Sequence, residues 1–139
     1  MRKIFFVIFT FCVFMFFACS EEHKNDIAAA KAAKEYYDSL LAGNYAYFVR
    51  GMYLADTIPD GYREELEANA KMFVERVKEE HHGIREVRIM NCVNDTIHIE
   101  KTEKSVHAAE AFLVFCFGDS LNEEVVVPMV FHKNRWLMR

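Results

Sequence analysis

The sequence predicts an α+β domain, with N-terminal helices packed on an antiparallel β-sheet. Three observations carry this expectation. Before Gly83 the apolar residues recur at helical spacing, and after it the period changes to two. The strands nearest the end are apolar at odd and even positions alike, so both faces of the sheet are expected to be covered. A chain of 139 residues suffices for one such domain.

The first element is an address. Arg2-Lys3 is a positive start, and Ile4–Ala18 is an apolar run broken only by Thr10. It falls short of the roughly 20 residues that span a bilayer core. A charged start, a short apolar run and a small residue before a cut describe a signal peptide over residues 1–18. Phe16-Phe17-Ala18-Cys19 resembles a bacterial lipobox. That resemblance implies cleavage after Ala18, a diacylglyceryl group on Cys19, and an acyl chain such as palmitate on the new amine. Each buried CH₂ contributes about 0.8 kcal/mol, so several chains anchor a protein to a membrane where one does not. Ser20-Glu21-Glu22 resembles the sorting and surface-export signals of Gram-negative outer-membrane lipoproteins. It implies exposure at the cell surface, with a periplasmic orientation as the alternative. Residues 19–25 are then the lipidated Cys and an acidic tether, and residues 26–139 the domain.

Asp26 is expected to cap a helix over Ala28–Ala42 that Gly43 ends. Its buried stripe is Ala29, Ala33, Tyr36, Tyr37, Leu40 and Leu41. Asn44 caps a short second helix carrying Tyr45, Phe48 and Val49. Met52–Ile58 reads as irregular or as a brief strand, closed by Pro59. Asp60 opens a third helix running to about His82, with Gly83 as its stop. Tyr62, Leu66, Asn69, Ala70, Phe73 and Val77 define its inner face, and Glu64, Glu65, Glu67, Lys71, Lys78 and Glu79 its wet one.

Val87, Ile89, Ile97 and Ile99 then alternate with polar residues around an expected Asn94-Asp95 turn. Ala111–Phe117 and Val125–Phe131 are two richer strands, joined by the loop Gly118–Asn122. Lys133-Asn134 closes a tight hairpin that sets Phe131 opposite Trp136. Pro128 lacks a ladder donor and implies an edge or a bulge. The helices can cover one sheet face; a second copy of the chain is the simplest cover for the other, giving a homodimer.

Composition excludes several functions. The net charge is −4, and it becomes more acidic once Arg2 and Lys3 leave with the signal. Phosphate contacts supply most nucleic-acid affinity, so no nucleic-acid partner is expected. The five glycines lie at least eight residues apart, which rules out a phosphate-binding glycine loop. There is no G-x-S-x-G, no H-E-x-x-H and no C-x-x-C. No cofactor is implied. Cys12 leaves with the signal and Cys19 is lipidated, so Cys92 and Cys116 remain. Export permits a disulfide, but apolar strand neighbours make buried thiols the preferred reading.

Certain residues carry a resemblance. These are Ala32-Ala33-Lys34-Glu35-Tyr36-Tyr37 with Leu40, Gly43-Asn44-Tyr45, Phe48-Val49, Tyr62-Arg63-Glu64-Glu65-Leu66, Val127-Pro128-Met129-Val130, and Lys133-Asn134-Arg135-Trp136. Together they resemble a group of lipoproteins of unknown function with a nuclear-transport-factor-2-like, or cystatin-like, domain. The resemblance covers about residues 27–139 and implies helices on a curved antiparallel sheet, a cone. It also implies a pocket between sheet and helices, used by isomerases, hydrolases, dehydratases and many non-enzymatic modules.

The candidate pocket residues are Tyr36, Tyr37, Asp38, His107 and Glu110. All six tyrosines lie between Tyr36 and Tyr62, and a phenol at a pocket mouth can donate to a ligand carbonyl. In ketosteroid-isomerase-like members of the superfamily a Tyr donor and an Asp base do that work, and Tyr37 with Asp38 is the nearest match. Consecutive helical residues point about 100° apart, however, so amphipathic anchoring is preferred. His98 and His107 would face each other across a hairpin at residues 101–104, with Glu100 or Glu110 as a further ligand. Spacing fixes no third ligand, so a surface pair is preferred and no metal is expected. His81-His82 reads as a cap on a helix C-terminus, and Glu110 and His132 as polar groups near the apolar strands. No catalytic signature emerges. The expected function is non-catalytic binding of a small apolar ligand or a protein partner. The rival is a small-molecule isomerase or hydrolase using Tyr36, Asp38, Glu110 and His107.

Overall fold

A computed structural model describes residues 27–53, 55–98 and 105–139, with the side chains of residues 97 and 98 left out. The signal and lipidation site at Ala18 and Cys19, the Asp26 cap, Ile99 and Glu100 lie outside the described residues. Within them run α1 (Ala28–Leu41), α2 (Tyr45–Arg50), a 3₁₀ turn (Ala55–Thr57) and α3 (Asp60–His81). The strands β1 (Ile84–His98), β2 (Ser105–Phe117), β3 (Asn122–His132) and β4 (Arg135–Met138) follow. They form one antiparallel meander in the order β1-β2-β3-β4, curved and unclosed.

The helix ends are written in the sequence. Gly43, at φ +88°, turns the chain after α1 in the left-handed region that glycine enters at no steric cost. The Asn44 side chain accepts from the Tyr47 N–H at 3.1 Å and caps α2. Replacing Asn44 by Ala is expected to destabilise the domain by about 1 kcal/mol, read as a lower urea midpoint with an unchanged m-value. At α3 the N-cap is Pro59, with Asp60 inside the first turn near the positive end of the helix dipole.

α1 buries Ala29, Ala33, Tyr36 and Leu40, an i, i+4, i+7, i+11 stripe, and touches all four strands. Its alanines bring the backbone close to the sheet. Across the sheet the inner face is Val87 and Cys92 of β1, Ala109 to Phe117 at odd positions of β2, Val127 and Met129 of β3, and Met138 of β4. On α3 the buried residues are Ala70, Val74 and Val77, whereas Tyr62 is 50% exposed and Asn69 is exposed. The expected inner stripe of α3 is thus corrected at its N-terminal end. α3 packs mainly on α1 and α2 and meets the sheet chiefly at β1.

The Asn94-Asp95 turn is not formed. β1 runs through it, pairing Asn94 with Ala109 and Asp95 with Ala108. Turn-prone residues are overridden by the long ladder to β2, in which both residues are exposed and meet no core. β1 carries two bulges, where Arg85 and Met90 are the extra residues. Each shifts the register by one, moving the inward set from Val87 and Ile89 to Cys92, and bends the strand.

The closing hairpin forms as expected: Lys133 (φ +49°) and Asn134 (φ +63°) make the tight turn, and the Phe131 and Trp136 rings lie 5.3 Å apart. Pro128 pairs with Glu110 on one side. Its carbonyl accepts from the Arg139 N–H at 3.0 Å on the other. The donor that Pro128 lacks would face Arg139, where β4 runs out, so the edge position costs the ladder one bond at most. Of Met52–Ile58, expected to be irregular or a brief strand, only Met52 among the described residues forms an isolated parallel bridge, to Met138, and Ala55–Thr57 make the 3₁₀ turn.

Candidate functional site

Because α3 leans on the other helices, a half-open cleft of about 550 Å³ remains between its second half and the inner face of β2 and β3. Phe73, Arg76, Val77, Glu80 and His81 line it from α3, at the i, i+3, i+4, i+7, i+8 spacing of one helical face. Its floor is completed by Tyr37, Phe115, Phe117 and Val125. Glu123 lies at an inner-facing position of β3, two residues before Val125 and opposite Phe115. The rim is therefore Arg76, Glu80, His81 and Glu123. Arg76, Glu80 and Glu123 are exposed and make no ion pair among the described residues. A smaller hollow of about 230 Å³ lies beside α3, lined by Leu41, Val74, Lys78 and His82 among others.

One end of the cleft is fixed by a clasp between α3 and the β2–β3 loop. His81 Nδ1 lies 2.9 Å from Asp119 Oδ2, and the His81 ring stacks on Phe117 at 4.4 Å. The Asp119 N–H donates to the His81 carbonyl at 3.0 Å, and the Gly118 N–H to the Gly83 carbonyl at 2.9 Å. These bonds satisfy carbonyls at and beyond the helix end. With Asp119 ionised, the contact requires an Nδ1–H donor, which leaves Nε2 of a neutral ring as the acceptor.

The hydrogen bond from His81 holds the Asp119 carboxyl below its ordinary value, with a second bond from the Leu121 N–H adding to the effect against some desolvation. A depressed carboxyl pKa stabilises the fold above the ordinary carboxylate range, and this contribution is lost as pH falls through the folded value. The stability difference between the natural chain and Asp119→Asn should therefore be full at neutral pH and shrink on acidification below about pH 4. Urea midpoints measured from pH 3 to 7 check this; a difference constant across that range would refute the clasp.

The expected site residues are scattered. Tyr36 is buried with its hydroxyl donating to the Trp136 carbonyl at 2.7 Å, which ties α1 to β4. Tyr37, its neighbour in sequence, points the other way, between Phe48 and Phe115 at 5.3 and 5.1 Å, and lines the cleft. Burial raises the pKa of both phenols, so each stays a neutral donor in the physiological range. Asp38 is exposed and pairs with Lys34 at 2.6 Å, one turn back on α1. Glu110 is exposed on the outer sheet face opposite Val93 and Pro128. His107 is exposed near the far end of β2, where it faces Thr96 rather than position 98. The expected 98–107 register is corrected by two residues, and no group of three or more His, Cys, Asp or Glu placed to hold a metal occurs among the described residues. His132 is exposed and meets the edge of Tyr53 at 5.3 Å. Of the five candidates, the structure brings only Tyr37 to the cleft.

Cys92 and Cys116 are both buried thiols, facing opposite sides of the sheet. Asp119, Glu123 and Arg76 escaped the sequence reading. Glu123 had a signal, since the alternation Glu123, Val125, Val127, Met129 puts a carboxylate on the inward face; Asp119 had none.

No family model and no curated protein matches the chain. A solved structure from Campylobacter jejuni, described as a candidate nuclear-transport-factor-2-like transpeptidase, superposes with a TM-score of 0.53 over 76% of this chain and 92% of that one. The domain has the nuclear-transport-factor-2-like fold. At 15% identity the likeness extends to the nuclear-transport-factor-2-like architecture alone.

Proposed function

We propose that the chain is an outer-membrane lipoprotein, cut after Ala18 and anchored through lipid on Cys19, displayed at the cell surface. Its nuclear-transport-factor-2-like domain binds a small ligand with an apolar body, without catalysis. The observation that carries the binding reading is the cleft of about 550 Å³. It falls within the size range of small-molecule sites and joins an aromatic floor to a few polar rim groups. Two tests apply. Metabolic labelling with an alkyne fatty acid should tag the chain, and Cys19→Ser should abolish the tag; labelling that persists in the variant refutes the anchor. Native mass spectrometry of the purified protein should reveal an added organic mass that Phe73→Ala diminishes; an added mass indifferent to that change places binding elsewhere.

The same reading pairs two copies through the outer sheet face. Val93 and Val126 are 47% and 46% exposed there, beside Phe112 and Val114. Sedimentation velocity should show a dimer that Val126→Lys dissociates, and a monomer overturns that part.

A second reading, a small-molecule isomerase or hydrolase, draws on the His81–Asp119 pair. A carboxylate on Nδ1 orients an imidazole for proton transfer at Nε2. Recovery of a captured ligand with unchanged mass and connectivity after prolonged incubation would exclude it.

A further inference from the structure

The cleft rim presents opposite charges at a defined spacing. Arg76 and Glu80 stand one turn apart on the lining face of α3, about 6 Å along the helix axis. Glu123 adds a second carboxylate from β3, and none of the three makes an ion pair among the described residues. Phe73, Phe115 and Phe117 line the same cleft. An apolar cargo would need no charges here, and an anion or a cation alone would leave one sign facing its like. A ligand with both signs and apolar groups between them uses the whole rim.

We propose that the cleft binds a short peptide of about two apolar residues with free termini, its carboxylate at Arg76 and its ammonium at Glu80 and Glu123. The lengths agree: an extended dipeptide spans about 7 Å, close to the separation along α3. Guanidinium matches carboxylate in its planar, bidentate geometry. The volume admits two apolar side chains on the floor. This inference rests on the proposed ligand-binding role of the cleft and names its ligand class.

Isothermal titration of the full chain at low salt tests it. The probes are phenylalanyl-leucine, its N-acetyl form, its C-terminal amide, and the doubly blocked peptide. Because the rim is exposed to solvent, blocking either end should weaken binding by about three- to fivefold. Arg76→Gln should remove the penalty for amidation while keeping that for acetylation. The double change Glu80→Gln and Glu123→Gln should do the reverse. Phe73→Ala, checked for folding by circular dichroism, should weaken all four peptides. If the free and doubly blocked peptides bind equally and Phe73→Ala weakens both, the cleft binds apolar ligands and the peptide-terminus inference falls. If Phe73→Ala changes nothing, or no peptide binds, both the inference and the cleft as a site for such ligands fall.

Discussion

Leu113→Ala should cost about 3–5 kcal/mol of unfolding free energy, the largest effect expected of a single side-chain truncation here. Leu113 is fully buried at the middle of β2, between Ile89 of β1 and Val125 of β3. It lies on the face that α1 covers and is paired on both sides, with Ile89 and with Val125, so the structure can close only partly over the lost methyls. The penalty combines lost transfer free energy with the cavity left behind. For a domain whose whole stability is about 5–15 kcal/mol, this removes a large share. Val126→Ala provides the contrast. That side chain is 46% exposed on the opposite face, one strand away, and should cost under about 1 kcal/mol in a monomer. Urea unfolding of both variants checks the pair. Equal losses would mean that the two faces are covered alike and that the helices do not define the core.

Gly118→Ala should destabilise by about 1–3 kcal/mol and open the clasp at the cleft. A Cβ on Gly118 would run into the His82 carbonyl oxygen and lie 3.0 Å from the His82 Cβ. The obstacle is backbone, held by the Gly118 N–H bond to the Gly83 carbonyl and the Asp119 N–H bond to the His81 carbonyl. Neither can yield without breaking the other. The loop must move as a unit, which separates Asp119 from His81. The variant should then show little of the acid-dependent stability that Asp119 contributes, and further replacement of Asp119 by Asn should add almost nothing. A double-mutant cycle across pH reads this. Additive losses would show that the glycine and the clasp act independently.

Helix boundaries were legible because their causes are local. Gly43 needs a left-handed backbone, Asn44 reaches the amide three residues on, and Lys133-Asn134 twists as a hairpin requires. The pairing of Phe131 with Trp136 follows from that turn alone. Where local chemistry competed with long pairing, the reading failed. Asn94-Asp95 has turn chemistry but sits inside a fifteen-residue strand. The bulges at Arg85 and Met90 leave no mark in composition, yet they decide which β1 residues face inward. On α3, Val74 replaced Tyr62 at the buried face because the helix is gripped by α1 and α2 rather than laid flat on the sheet.

The candidate site divides in the same way. Tyr36 and Tyr37 were correctly expected to diverge, since the helix itself sets their angle. Which of them would meet an open cleft depended on where α3 lies. Asp119 joins His81 from 38 residues away, and no spacing rule connects a loop aspartate to a helix end.

By itself, then, the sequence determined the helix-then-sheet order, the Gly43 and Asn44 helix boundaries and the Lys133-Asn134 turn, all of which follow from nearest-neighbour chemistry and periodicity. β2, apolar at odd and even positions alike, was given its inward face by the packing of α1. Only the tertiary structure decided the registers of β1, the clasp of His81 with Asp119, and the cleft that gathers Tyr37, Arg76, Glu80 and Glu123. The β1 registers follow from its long ladder to β2, whereas the clasp and the cleft depend on how far α3 stands from the sheet, which is set by the summed packing of three helices that no local run of residues encodes.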